Sequence, residues 1–491
     1  MKITDRVARW FGYERRGYRM RGYEAGSVNR LTGDWSTTVR TEDAELRHTL
    51  SALRARSRVL AQNNDYAVRF FSLLCANVIG DSGIGLQMRV KNRDGSEDRQ
   101  SNKLIEDAWR DWGRMRYASR DQRSTWIDLQ NLVLRAVACD GEVFIRKHVA
   151  DRRENKYVFT LQVLEADHCD ERYSANLTDG HTVRSGIEFD ASGRRVAYYF
   201  LRTHPGEWWY GGGNKYATER ERVPAAEVIH LYLQKRPTQS RGVPWMHAAM
   251  LRLNILGGYE EAELVSSRVA ASKMGFFTTP DGTAESIATE NESGEFRTAA
   301  APGEFGVLPD GYKFEPWNPT HPSGNFEPFT KSILRGVASG LNINYNSLAN
   351  NLEGVSFSSI RQGVLEDRYA WRSLQRWFIE HFCVPVFESW LSSSLLAGAI
   401  DLPESLPDKF NSPLFRPRGW DWVDPLKDME ASVLAINNGL ITRTQILAEQ
   451  GLDFEDVVDQ LAAEQEVLKQ KGIIILTSNG KNDDDDSDEQ D

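Results

Sequence analysis

The sequence predicts a multi-domain α+β protein, with a mixed α/β first half and a mainly helical second half. Three observations carry this. At 491 residues the chain exceeds what one hydrophobic core organises, so two to four modules are expected. From about Asp43 to Arg241, helically spaced apolar residues alternate with strand-like runs. From Gly242 onward the texture turns helical, broken by one small Gly/Pro-rich insert.

In chain order, "LRARSRVLAQNNDYAVRFFSLLCANVIG" has helical spacing and stops at Gly80, and "GIGLQMRVKN" reads as a strand. "NKLIEDAWRDWG" and "TWIDLQNLVLRAVACDG" read as amphipathic helices closed by Gly113 and Gly141. Four strand-like runs follow: "EVFIRKHV", "YVFTLQVLEAD", "GIEFDASGRRVAYYFLR" and "EVIHLYL". Asp190 to Gly193 supplies the turn chemistry of a hairpin in the third.

After Gly242, "VPWMHAAMLRLNILGGYEEAELVSSRVAASKMG" predicts about thirty helical residues. Ala248, Leu251, Ile255, Tyr259, Ala262, Val265 and Val269 lie on one stripe of it. Gly257-Gly258 would cost this helix about 2 kcal/mol, which suggests close packing or a bend there. In the insert, "EFGVLPDGYKFEPW" reads as two short strands around a Pro-Asp-Gly turn. Helix resumes near Glu327. After a polar loop comes the strongest helix, with Phe357, Ile360, Val364, Trp371, Leu374, Phe378 and Phe382 on one face, until Pro385 should end or kink it. The rest is helical. Asn438-Gly439 is a stop, Thr442 with Gln445 a capping box, Gly451 closes that helix and Asp453 opens the last.

Composition excludes several classes. The four cysteines are scattered without a CxxC pair, which fits a reducing compartment and neither a disulfide framework nor a zinc module. Neither a signal peptide nor an apolar run of membrane-spanning length is evident, so no membrane partner is expected. A net charge of -10 argues against gripping nucleic acid over the whole surface. Charge concentrates at the ends: residues 1–30 hold eight Lys/Arg against three acids, and residues 481–491 hold seven acids against one lysine. Both read as solvated arms, the second a disordered acidic tail. The aromatic-basic mixture of residues 6–23 could also contact nucleic acid or a capsid.

Motifs for catalysis are missing. GxxxxGK[ST], GxGxxG, HExxH and GxSxG do not occur. "YGGGNKY" (210–216) lacks the strand-to-helix context of a phosphate cradle and reads as a surface loop. "EADHCDE" (165–171) gathers metal-capable residues, but neighbours on a strand point to opposite faces. Asp421 and Asp424 precede Pro425 and read as cap chemistry. We therefore expect no catalytic residues, no metal and no cofactor. The alternative is a metal-dependent DNA-processing hydrolase built on Asp167/Asp170 or Asp421/Asp424.

The loop between the two helices of the second half is "NINYNSLANNLEGVSFSS" (342–359). It has five asparagines, four serines and a single charge, Glu353. Such residues are ordinary loop formers and helix caps.

Long pieces of the chain, among them "RGVPWMHAAMLRLNILGGYEEAEL", "LANNLEGVSFSSIRQGVLEDRYAWRSLQRWFIEHF" and "WDWVDPLKDMEASVLAINNGLITRTQILAEQGLDFEDVVDQLAAE", resemble the lambda-type family of tailed-bacteriophage portal (head-tail connector) proteins. The likeness runs from about Asp43 to Gly472, outside the basic arm and acidic tail. It implies a portal fold: an α/β wing (43–242, rejoined by the long helix at 360–419), a two-helix stem (243–274 and 326–341), a hairpin-containing clip (275–325), a channel-facing loop (342–359) and a helical crown (420–475), between the basic arm (1–42) and the acidic tail (476–491). It also implies a homo-oligomeric ring of about twelve subunits at one capsid vertex, assembled in the host cytoplasm. Double-stranded DNA would pass through that ring non-specifically. Terminase, head-tail connector or adaptor proteins, and major capsid and scaffolding proteins would be its partners.

In such a ring the 342–359 loop would face the channel, where a charge is repeated in every subunit. One lysine per subunit would set about twelve cations around the duplex and brake its sliding. Neutral amides and hydroxyls make exchangeable bonds to phosphate instead. The expected DNA-facing residues are Asn344, Asn346, Ser347, Asn350 and Asn351.

Overall fold

The computed structural model describes residue 30 and residues 33–207, 219–271, 275–278, 289–290, 296–297, 313–316, 326–403, 407–420, 425–450, 452 and 454–471. The loop at 210–216, Asp421, Asp424, Gly451, Asp453, the basic arm up to residue 29 and the acidic tail lie outside them.

The long N-terminal helical pattern is three helices: α1 (Glu42–Leu46), α2 (Leu50–Asn63) and α3 (Asp65–Val78). Asn64 breaks it. Its extended backbone cannot continue the helix, and its Oδ1 accepts the Ala67 N–H at 3.0 Å to cap α3. β1 (Gly85–Met88), α4 (Arg99–Trp112), α5 (Met115–Ala118) and α6 (Trp126–Asp140) follow. Thr125 and Asp128 form a capping box on α6, and Gly141 closes it at φ 90°.

The next strands form two antiparallel sheets. β2 (Glu142–Val149) lies between β3 (Phe159–Leu164) and β9 (Val228–Tyr232), with Ile145 opposite Val163 and Ile229. The second sheet runs in simple order through β4 (Ala175–Asn176), β5 (Thr182–Arg184), β6 (Ile187–Phe189), β7 (Arg195–Leu201) and β8 (Arg220–Pro224). The Asp190 turn joins β6 to β7 as the sequence predicts: Asp190 Oδ1 accepts from Ser192 and Arg194 N–H, and Gly193 takes φ 82°. β8 escaped the sequence reading because only Val223 of its five residues is buried.

α7 (Met250–Ala271) starts later than the apolar pattern suggests, because Pro244 to Ala249 form turns. It passes through Gly257 and Gly258 without a break. A Cβ on Gly258 would meet nothing within 4 Å, so close packing does not explain that glycine. The chain continues through β10 (Gly275–Thr278), β11 (Thr289–Glu290), β12 (Phe296–Arg297) and β13 (Lys313–Pro316). β13 pairs with β10, which lies nearly forty residues earlier in the chain. Residues 304–312, including the Pro-Asp-Gly turn, lie outside the described residues. α8 (Phe326–Leu341), α9 (Tyr345–Ala349) and α10 (Phe357–Phe378) come next.

Pro385 does not end the long helix. It has no N–H to give the carbonyl four residues back, and a π turn at Ile379–Cys383 absorbs the mismatch, so α11 (Val384–Leu396) continues the rod. After α12 (Pro407–Phe410), β14 (Pro413–Arg416) returns to pair with β1. α13 (Pro425–Asn437), α14 (Arg443–Glu449) and α15 (Phe454–Gln470) complete the chain. Gly439 at φ 68° and the Thr442–Gln445 capping box separate the first two as expected.

The main core joins the N-terminal helices to the long rod. Trp109 lies 5.3 Å from Trp126 and 5.0 Å from Trp390, and Trp126 stacks on Phe382 at 5.2 Å. α4, α6 and the rod thus share one aromatic centre, with Trp371, Phe378 and Phe382 buried as the sequence pattern implies. A smaller core under the second sheet holds Phe144, Ile187, Tyr198 and Phe200.

Candidate functional site

The segment from 342 to 359 is built and docked. Asn342 turns the chain out of α8 at φ 56°, and Ile343 plugs it into the core. Asn344 then caps α9, its Oδ1 accepting the Asn346 N–H at 2.9 Å. Asn350 ends α9 in the left-handed region at φ 51°, where asparagine is tolerated better than most residues. Asn351 Oδ1 accepts the Glu353 N–H at 2.9 Å, and Gly354 at φ 68° carries the turn to Ser356, which caps α10.

Asp367, on α10, holds this segment down. Its Oδ1 accepts the Asn344 backbone N–H at 2.8 Å and its Oδ2 the Ser347 hydroxyl at 3.0 Å. Burial pushes the Asp367 carboxyl above its usual range, and these two donors work against that shift. Arg69 on α3 donates to the Ser347 carbonyl at 3.2 Å. Gly363 leaves space for the Asn344 side chain: a Cβ there would come within 2.0 Å of Asn344 Nδ2.

The five expected residues therefore divide. Asn344 and Ser347 are committed to the fold, and Asn351 shapes the turn. Asn346 and Asn350 retain side-chain amides without a hydrogen-bond partner among the described residues. Asn350 is exposed, as are Leu352, Glu353 and Gly354 at the tip. Sequence reasoning missed Asp367, because an acid on the flank of an amphipathic helix carries no mark of a partner twenty residues away.

Arginines engage the acidic stretch 165–171. Asp167 is paired with Arg58, and Asp170 accepts from Arg220 Nε at 2.6 Å. Glu165, Asp167 and His204 approach one another, as do Asp179, His181 and Glu188. Arg222 already grips Glu188 at 2.7 and 2.9 Å, holding its pKa down to about 2.

Deeper lies a buried charge cluster that sequence reasoning also missed. Glu142 receives Arg54, Arg241 Nε at 2.7 Å, His230 Nε2 at 2.9 Å and the Gly242 N–H at 2.9 Å. With two guanidiniums facing it, Glu142 stays ionised well below the usual carboxylate range despite full burial. His230, also buried, is pushed down to about 4 and is neutral at pH 7. The Arg54, Arg241 and His230 side chains that hold Glu142 are all buried.

An amide-rich loop clamped between two helices and a buried charge cluster are the polar features that brace this mixed helix-and-strand body. The chain belongs to the phage portal protein, lambda family, whose model matches residues 28–375. It is a portal protein, a non-enzymatic part of the phage capsid. A probable portal protein of Halomonas phage phiHAP-1 is 32% identical over 463 residues, covering 92% of this chain and 88% of that protein. Portal protein B of Escherichia phage lambda is 22% identical over 477 residues, covering 89% and 88%. Among solved structures, the neck of an empty gene transfer agent (GTA) particle matches at TM-score 0.43 and 13% identity, covering 82% of this chain and 94% of that one.

Proposed function

We propose that about twelve copies of this chain close into a ring at one vertex of the capsid, around a channel through which double-stranded DNA enters and later leaves. The observation that carries the ring is a set of apolar side chains left in solvent. Leu251, Ile255, Leu264 and Val265 on α7 are each more than half exposed, and so are Leu426, Met429, Val433 and Leu434 on α13. Leu251, Ile255 and Val265 belong to the stripe seen in the sequence; Tyr259 of that stripe packs on Phe326 and Phe329, while these three stay exposed in the single chain. A neighbouring copy would bury them.

In this reading α7 and α8 form the stem, residues 275–325 the clip, and residues from 420 onward the crown. The 342–359 segment faces the lumen, with Asn346, Asn350 and Asn351 nearest the duplex, and Asn344 and Ser347 holding them in place. Terminase and the connector proteins dock at the clip end, and capsid and scaffolding proteins surround the wing. Assembly takes place in the host cytoplasm.

Negative-stain electron microscopy of the purified chain tests the ring. Annular particles with a central hole are expected, and Leu264→Asp with Leu251→Asp should yield single chains of unchanged secondary structure. Single chains from the unaltered protein under all solution conditions would overturn the reading.

A further inference from the structure

A cavity of about 730 Å³ lies between the π turn, β14 and α14. It plays no part in the ring or channel reading. One wall is apolar, with Ile379, Val384, Leu414, Leu440 and Ile441, and Leu440 is 81% exposed. The rim is basic: Arg372, Arg376 and Arg418 are exposed, and none pairs with an acid among the described residues. Arg372 lies over the Trp420 ring at 5.7 Å, while Arg418 donates to the Ala76 and Gly419 carbonyls and has Asp81 nearby without an ion pair to it. Glu380 is the one acid at the rim. The α14 wall is fixed, since the Gly419 backbone packs so closely on Gln450 that a Cβ would lie 2.2 Å from it.

This cavity asks for a ligand that is apolar at one end and strongly acidic at the other. Residues 472–491 of the chain have that order: Ile473, Ile474, Ile475 and Leu476 first, then seven acids between Asp483 and Asp491. The reach is sufficient. α15 has 17 residues and is about 25 Å long. Asp483 stands thirteen residues beyond Gln470, a span of up to about 43 Å when extended. Tethering keeps the local concentration of the tail high.

We propose that the C-terminal segment of each chain folds back into its own cavity, with Ile473–Leu476 leading the chain back toward the apolar wall and the aspartates on Arg372, Arg376 and Arg418. The cavity is thus an internal docking site for an acidic peptide. A chain carrying it occupied presents a neutralised rim, and one without it presents three arginines.

Hydrogen exchange of the whole chain against one ending at Lys471 tests this. Amides at 376–384 and 440–448 should exchange at least tenfold more slowly in the whole chain, and 1 M salt should remove most of that protection. A synthetic peptide of residues 472–491 should restore it in trans, and Arg372→Glu with Arg376→Glu should weaken peptide binding at least tenfold. Because those changes could disturb the helix, Asp483→Asn through Asp486→Asn should reproduce the loss from the tail side. Equal exchange with and without the tail, or protection by duplex DNA but not by the peptide, would overturn the proposal. So would a disulfide between Leu440→Cys and Asp485→Cys that joins two chains rather than closing within one.

Discussion

Asn344 and Asp367 meet across the turn between α8 and α10: the Asn344 backbone N–H donates to Asp367 Oδ1 at 2.8 Å, and the Asn344 side chain lies in the space left by Gly363. A hydrogen bond from one end of the loop to the middle of a long helix fixes where the loop projects. Its polarity is therefore used twice, inward for anchoring and outward at the tip.

Asp367→Ala should release that anchor. Two donors, the Asn344 N–H and the Ser347 hydroxyl, lose their acceptor at a half-buried site, for a cost on the order of 1–2 kcal/mol. Proteolysis should accelerate at 350–356 while the aromatic core stays intact. A cleavage rate equal to that of the unaltered chain would show that the bond does not hold the loop.

Lysine at Asn346, Asn350 and Asn351 tests the lumen reading separately from folding. None of these side chains bonds outside the 342–359 segment among the described residues, so the aromatic core should stay intact. The loss of stability should stay at about 2 kcal/mol, from lysine at φ 51° in place of Asn350 and the lost Asn351 turn bond. DNA packaging in particles should slow, and the slowing should ease as salt rises, because each added phosphate contact binds through counterion release. Packaging at the normal rate would place this loop away from DNA.

Gly242→Ala probes the junction between the sheet and the start of the second half. A Cβ at 242 would lie 2.1 Å from the Gly141 carbonyl oxygen, and backbone cannot swing aside as a side-chain tip can. The Gly242 N–H also bonds Glu142 at 2.9 Å. A loss of about 3 kcal/mol or more in urea unfolding is expected. A near-neutral result would mean that the two backbone segments move apart easily.

What the sequence revealed follows from the range of the interaction. The Asp190 turn, the Thr442 box and the aromatic face ending at Phe382 each depend on neighbours within a few positions, and each could be read. The pairing of β1 with β14, the grip of Asp367 on Asn344 and the arginines around Glu142 join residues far apart in the chain. No local pattern encodes those. The α7 stripe was visible but its direction was not, since periodicity reveals that a face is apolar and not what covers it. For the loop, composition suggested neutrality toward DNA, while the coordinates show that Asn344 and Ser347 serve as helix cap and tether.

The Glu142 cluster makes stability depend on pH, and the sign can be worked out. Burial, helped by the charges of Arg195 and Arg241, outweighs the pull of Glu142 on His230 and keeps it neutral down to about 4. In the unfolded chain its pKa returns to about 6.5. Between these values the unfolded state binds the extra proton, so stability falls as pH falls. From pH 7 to 5 His230 should contribute a loss of about 2 kcal/mol. Glu142 acts in the same direction lower down: its folded pKa is depressed, so its contribution is present above the unfolded value and disappears as pH drops through the folded one. His230→Gln keeps an N–H for Glu142 but cannot titrate. Urea unfolding of both proteins at pH 7 and pH 5 should show their stability difference shifting by about 2 kcal/mol in favour of the glutamine variant at the lower pH. Parallel pH profiles would show that His230 takes up its proton as readily in the folded protein as in the unfolded one.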